Sequence, residues 1–316
     1  MLLQRVLLLL LLSRWRCLAE TYCDGIGCVD KQSVENDAKP RSNIEPSFEM
    51  IGGRPAEYTS YPYIVSIQEK ATEKLICNGI IISASKVMTG CHCVAFVQPI
   101  RNSYTQPITG NRRGMIVVAG ARTLFKANMK TKDTQLTQYR FLSKIDVHPK
   151  CSFGQGIWKY DFSIITVRGV FNFNRYVGLA PIDTAQNSEV WAGKIGEIIA
   201  QGKKCKAVGF GRAKKHQEPA LLEIDMILSD NGCRDRKCWY RTRPCKQALE
   251  KGVCGYVDDQ NKPELCTGDA AAALICDNKV LALLTKGPWC NQNSFIPSLF
   301  TRLDMGLDFY NGIEKA

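Results

Sequence analysis

From residue 50 onward the chain alternates short apolar runs with turn residues. The runs fall at 63–68, 75–82, 115–119, 141–147, 162–167, 206–209, 221–228 and 281–284 and are rich in isoleucine, valine and leucine. Their length of mostly four to eight residues is that of a strand. Many short strands separated by glycine-rich turns predict an all-β sandwich or barrel. Only the tail, 304–313, reads as a helix, and the chain holds no internal repeat and no low-complexity segment.

The first 49 residues follow two other patterns. Arg5 precedes an apolar run over 6–12, too short to span a bilayer. Small residues at Cys17 and Ala19 have the spacing of a signal-peptidase site, which predicts a signal peptide over 1–19. No later segment is apolar enough to cross a membrane. Residues 20–49 are polar, with Pro40 and Pro46, and read as a leader or pro-segment. Residues 50–316 form the remaining domain.

Composition narrows the setting. A chain of 316 residues with 45% apolar content is long enough for a sizeable core and is not of the disordered class. Fifteen cysteines include Cys17, so the mature chain keeps an even number. Secretion and an even count predict a disulfide framework, and no Cys-x-x-Cys pair suggests zinc. The net charge is +12, and removal of Arg5, Arg14 and Arg16 with the signal leaves +9. There is no Asn-x-Ser/Thr sequon.

Three histidines are present: His92 in Thr89-Gly90-Cys91-His92-Cys93, His148 before Pro149, and His216 in a basic loop. A lone histidine is ordinarily structural or solvated, and an acid that opens an apolar strand, such as Asp161, is ordinarily a turn residue. Here they are followed by Cys266-Thr267-Gly268-Asp269-Ala270-Ala271-Ala272-Ala273. The order His, Asp, then a Gly-Asp-X turn is one of the known chain orders of a Ser-His-Asp triad.

With these residues in view, the chain from about Met50 to the C-terminus resembles the chymotrypsin-like serine proteases. Met50-Ile51-Gly52-Gly53 resembles Ile-Val-Gly-Gly, and 61–67 resembles the first strand of the family. Residues 89–93 resemble Thr-Ala-Ala-His-Cys, 205–211 resemble Cys-x-x-x-Gly-Trp-Gly, and 297–301 resemble Pro-Gly-Val-Tyr-Thr. The resemblance implies two six-stranded antiparallel β-barrels with the active site between them and a C-terminal helix. It implies neither cofactor nor metal.

By this resemblance His92 takes the place of the general base and Asp161 that of its orienting acid. The nucleophile's place holds Ala270, whose methyl group has no proton to give and no oxygen to attack with. Removal of the serine from a triad elsewhere costs about a million-fold in turnover, roughly 8 kcal/mol. Gly268, Asp269 and Ala270 form the oxyanion loop, where Ala271 and Ala272 add Cβ atoms absent from the family. Asp269 resembles the buried acid that a freed N-terminal amine neutralises. Glu49 precedes Met50, so a trypsin-like cut there is not expected, and Asp269 is expected to find another partner. In the former specificity pocket, Glu264 takes the floor, Thr285, Lys286 and Gly287 replace Ser-Trp-Gly, and Ser298 lies close by.

The resemblance also implies the pairings Cys77–Cys93, Cys205–Cys276, Cys266–Cys290 and Cys233–Cys254. The extra cysteines leave Cys91–Cys151, Cys238–Cys245 and Cys23–Cys28 as further expected pairs, with pairing between leader and body as an alternative. Arg234, Arg236, Lys237, Arg241, Arg243 and Lys246 crowd one segment with Trp239 and Tyr240. Such a patch suits an acidic partner or a sulfated glycan, and equally a solvated loop. No nucleic-acid motif is present. The expected function is that of a secreted, non-catalytic serine protease homologue, of the kind frequent in insect immune and reproductive secretions, that recognises an extracellular protease, substrate or inhibitor. The alternatives are a hydrolase with a displaced nucleophile, Cys91 being the candidate, and a basic glycan-binding module.

Overall fold

The computed structural model describes residues 21–24, 27–30, 50–51, 53–57, 59–98, 104–107, 114–126, 136–154, 157–183, 188–212, 218–229, 252–257, 264–265, 269–287 and 297–314. The signal segment, most of the leader, Gly268, Cys233, Cys238, Cys245, Cys266, Cys290 and the basic patch from Arg234 to Lys246 lie outside them. Within residues 1–46, the strands Thr21–Asp24 and Gly27–Asp30 pair as a hairpin with Cys23 opposite Cys28.

The body, 47–316, is built on two closed rings of antiparallel strands. The first contains β1 (Ile64–Glu69), β2 (Leu75–Ser83), β3 (Lys86–Thr89), β4 (Met115–Ala119), β5 (Gln138–Val147) and β6 (Ser163–Val167). They close in the order β4-β5-β6-β3-β2-β1. The second contains β7 (Lys204–Gly211), β8 (Ala220–Ser229), β9 (Gly252–Val257), β10 (Ala273–Cys276), β11 (Lys279–Lys286) and β12 (Ser298–Arg302). Their order is β7-β10-β11-β12-β9-β8, and pairing of β7 with β8 closes the ring. A full ring leaves no exposed edge on either barrel.

Alternating positions explain the closure. On β1 and β4, Val65, Ile67, Val117 and Ala119 enter one core with Ile81, Ile165 and Val167. Ile64, Ile116 and Val118 face the other way and join a second core with Ala207, Val208, Leu222, Leu274 and Leu283. The first barrel is therefore apolar on both faces where it meets the second. This accounts for the near-continuous apolar runs of the sequence.

Two short strands tie the start of the body to the second barrel. Met50–Ile51 pairs with Glu264–Leu265, and Arg54–Pro55 pairs with Leu222 and Glu223 of β8. Arg54 donates to Glu223 at 2.7 Å and to both oxygens of Asp225 at 2.8 and 2.9 Å. Tyr61 and Lys206 also donate to Glu223, at 2.6 Å each.

The tail is helical as expected, with a 3-10 turn at Leu303–Gly306 leading into a helix at Leu307–Glu314. The expectation that only the tail is helical is corrected by a second helix, Ser188–Ala200. Trp191, Ile195 and Ile198 fall at i, i+4 and i+7 and are buried against the core. Gly193 and Gly196 interrupt the same segment and weaken its helical signature.

Candidate functional site

His92 sits in the 3-10 turn Cys91–Cys93 that follows β3. Asp161 lies just before β6, whose pairing with β3 brings the two segments side by side. Asp161 Oδ2 lies 2.7 Å from His92 Nδ1, and Oδ1 accepts the backbone N–H of His92 at 3.0 Å. The aspartate is 1% exposed and the histidine side chain 16%. Burial pushes the imidazole's pKa down, but the charge and hydrogen bond of Asp161 outweigh it together and hold it above the ordinary value. The structure thus joins two residues that are 69 positions apart in the chain.

Residue 270 belongs to the second barrel, in the turn that precedes β10. Ala270 is 9% exposed and packs in the same buried cluster as Cys77, Cys93 and Ala271. Its carbonyl accepts from the backbone N–H of Asn78 at 2.9 Å and from Asn78 Nδ2 at 3.2 Å. Asn78 Oδ1 in turn accepts the N–H of Phe210 at 2.6 Å. A wholly buried asparagine on β2 therefore ties the first barrel to both β7 and the turn at 270. Cys77 adjoins Asn78 and is bonded to Cys93, next to His92.

The turn itself keeps a shape suited to glycine. Ala271 adopts φ 59°, in the left-handed region, and is wholly buried. Its N–H donates to Leu284 O at 2.8 Å, Ala272 N–H donates to Asp269 O at 2.9 Å, and Leu284 N–H donates to Ala272 O at 2.8 Å. Three main-chain bonds to neighbouring residues hold an alanine where glycine is the relaxed choice.

Asp269 is fully buried, as is Met50. A Cβ on Gly211 would lie 2.8 Å from Asp269 Oδ1 and 2.9 Å from the Met50 backbone nitrogen. The acid of the turn and the start of the body thus converge on one glycine of β7.

Thr285 and Lys286 end β11, and Lys286 pairs with Leu299 beside Ser298 on β12. The hydroxyls of Thr285 and Thr301 hydrogen-bond. Lys286 is partly buried, which pushes its pKa down. Glu264 pairs through its backbone with Ile51.

Among the described residues the disulfides are Cys77–Cys93, Cys91–Cys151 and Cys205–Cys276. Cys254 is also disulfide-bonded. Cys77, His92 and Cys93 bring their ligand atoms within 4.8 Å of one another, but the two sulfurs are bonded to each other. That arrangement offers a metal no thiolate. No helix among the described residues is long and apolar enough to cross a membrane.

Three contributors to the site were not singled out from the sequence. Asn78 is a polar residue inside an apolar run, and that break in pattern is its signal. Trp158, in the hairpin of Ser152–Gly154 with Ile157–Lys159, places its ring 6.0 Å from that of His92. Gly90 is the third: a Cβ there would lie 2.7 Å from His92 Nδ1.

Two six-stranded barrels with a buried His–Asp pair on the first define a chymotrypsin-like serine protease fold. The trypsin family model matches residues 50–309, and the chain belongs to that family. It is 25% identical to neutrophil elastase of Mus musculus over 272 residues, 85% of this chain and 83% of that protein. It is 23% identical to chymase of Mus musculus over 274 residues, 84% of this chain and 91% of the relative. Ovochymase-2 of Mus musculus is 25% identical over 254 residues, 79% of this chain, and the match spans only 35% of that longer protein. Among solved structures, neuropsin, a serine protease expressed in the limbic system of mouse brain, shares the fold. Its TM-score is 0.60 at 18% identity, covering 84% of this chain and 99% of neuropsin.

Proposed function

We propose that this protein is a secreted serine protease homologue that binds without cutting and acts as an extracellular regulatory or protein-binding factor, in a fluid such as an immune or reproductive secretion. The observation that carries the reading is the alanine at residue 270. Its turn is bonded through Asn78 to the strand whose cysteine is linked to the neighbour of His92. Aligned with the family motif, Ala270 fills the nucleophile's place. His92 can then accept a proton only from water or ligand, because a methyl group offers none. Acyl transfer loses its covalent step, and what remains is a cleft able to hold a peptide.

The alternative nucleophile does not gain support. Cys91 is 0% exposed and bonded to Cys151, so its sulfur is not a thiolate. Secretion is supported by the disulfides, which belong to oxidising compartments, and by the N-terminal pattern.

The purified chain is expected to leave a panel of peptide substrates intact and to take up no serine-directed fluorophosphonate. Turnover that disappears in His92→Ala would overturn the proposal, since it would require another nucleophile served by the same imidazole.

A further inference from the structure

Tyr139, Val170 and Phe173 are large apolar side chains left 46%, 54% and 47% exposed. They lie on two segments that hydrogen bonds lace together, one at the start of β5 and one just beyond β6. Arg140 donates from Nε and Nη2 to Val170 O at 2.9 and 2.6 Å, and from Nη1 to Tyr139 O at 2.9 Å. The Gln138 side chain donates to Asn172 O at 2.7 Å and accepts the Asn172 N–H at 2.8 Å. Single exposed apolar side chains are ordinary on a protein surface, whereas a group of them on joined segments marks an interaction site.

The segment beyond β6 is fixed in shape. Phe171 and Tyr176 are buried in the same core as Val65 and Ile67. The Phe171 N–H donates to Ala84 O at 2.7 Å, and Asn174 and Val177 exchange N–H to carbonyl bonds at 2.9 and 3.3 Å. Asn174 Oδ1 also accepts the N–H of Tyr176 at 2.8 Å and of Val177 at 3.1 Å. Phe173 and Arg175 are therefore displayed from a turn that is already ordered, which spares a partner the cost of ordering it.

The charge around the patch has one sign. Residues 136–144 and 168–180 hold Arg140, Lys144, Arg168 and Arg175 and no aspartate or glutamate. Lys144 is paired with Asp146 at 2.8 Å. Arg140 and Arg175 rest instead on aromatic rings, 5.4 Å from the centre of Phe171 and 4.5 Å from that of Tyr176. A ring face holds a guanidinium in place without cancelling its charge. Arg168 is exposed.

We propose that this patch is a docking surface for an acidic segment of a partner protein, with carboxylates set against Arg168 and Arg175 and apolar side chains laid on Val170 and Phe173. A second copy of the chain is the wrong occupant, because it would bring like charges face to face. The patch shares no residue with the His92–Asp161 site, so it stands whether or not the cleft cuts peptides.

The probe is a short fluorescein-labelled peptide in which glutamate alternates with leucine and phenylalanine, titrated with the full chain by fluorescence anisotropy. Saturable binding is expected, weakened about tenfold or more by Phe173→Ser and by Arg175→Ser. Val190→Ser, on the helix Ser188–Ala200 and likewise exposed, should leave it unchanged. Peptides with lysine for glutamate, or with serine for leucine and phenylalanine, should not bind. Should Phe173→Ser or Arg175→Ser fail to fold, Arg168→Ser decides in its place with the same expected loss. The proposal is overturned if the peptide does not bind, if the patch variants bind it as the unmodified chain does, or if the lysine peptide binds equally. A heparin oligosaccharide that binds in preference to the peptide, and loses binding in the same variants, would overturn it in favour of a glycan. A dimer in sedimentation that Phe173→Ser abolishes would overturn it in favour of a second copy. Substrate turnover is read separately, so failure here leaves the proposed loss of catalysis where it stands.

Discussion

At residue 271 a local rule is broken inside an otherwise regular turn. An L-residue in the left-handed region costs about 1–2 kcal/mol relative to glycine. Ala271 tolerates this because its N–H is bonded to β11 and its methyl group is fully buried. Burial of one methyl group returns about 0.8 kcal/mol, so the two effects nearly cancel. Ala271→Gly is therefore expected to change stability by less than about 1 kcal/mol. Ala273, equally buried but within β10 and outside the left-handed region, gains no such relief. Ala273→Gly should cost about 1 kcal/mol more than Ala271→Gly in urea denaturation. Equal costs would show that the turn carries no strain.

Among the elements, the strands were legible and the inserted helix was not. Each apolar run from 63 to 284 lies on or overlaps a strand of one of the two barrels, because a barrel strand buried on both sides reads as a continuous apolar stretch. The helix Ser188–Ala200 hides its period behind Gly193 and Gly196, and its buried face is only three large residues wide. Long-range pairing explains the rest. The union of His92 with Asp161 could be inferred from family order, whereas Asn78 linking β2 to β7 and to residue 270 depends on how the barrels meet. Trp191 anchors the helix, at 1% exposure, and its indole N–H donates to Asp183 O at 3.2 Å. Trp191→Ala should cost about 3–5 kcal/mol in chemical denaturation. A loss below about 1 kcal/mol would mean that the helix is docked by other contacts.

Among the described residues of the molecule, two buried or half-buried histidines titrate in opposite senses, and together they shape its stability against pH. His148 is stacked on Tyr160 at 5.0 Å and packs edge-on against Phe309. Burial, aided by the charge of Lys150, lowers its pKa to about 4. The unfolded chain, with a histidine near 6.5, therefore takes up that proton first as pH falls. Its contribution is complete above about pH 6.5 and is lost toward pH 4. Burial raises the Glu223 carboxyl, but hydrogen bonds from Lys206, Tyr61 and Arg54 together hold it below its ordinary value, and Asp225 is held down chiefly by Arg54; both add to the loss at still lower pH. His92 acts in the reverse direction. Its pKa is raised by Asp161 in the folded state, so its contribution is complete below about 6.5 and fades as pH rises through the raised value. The melting temperature should therefore be highest near pH 6.5 and decline on both sides. His92→Gln should flatten the alkaline limb and leave the acid limb unchanged, while His148→Gln should flatten the limb between pH 6.5 and 4. An alkaline limb that keeps its slope in His92→Gln would mean that the imidazole bonded to Asp161 is already the neutral ring at neutral pH, carrying a single proton that it donates from Nδ1 to the carboxylate.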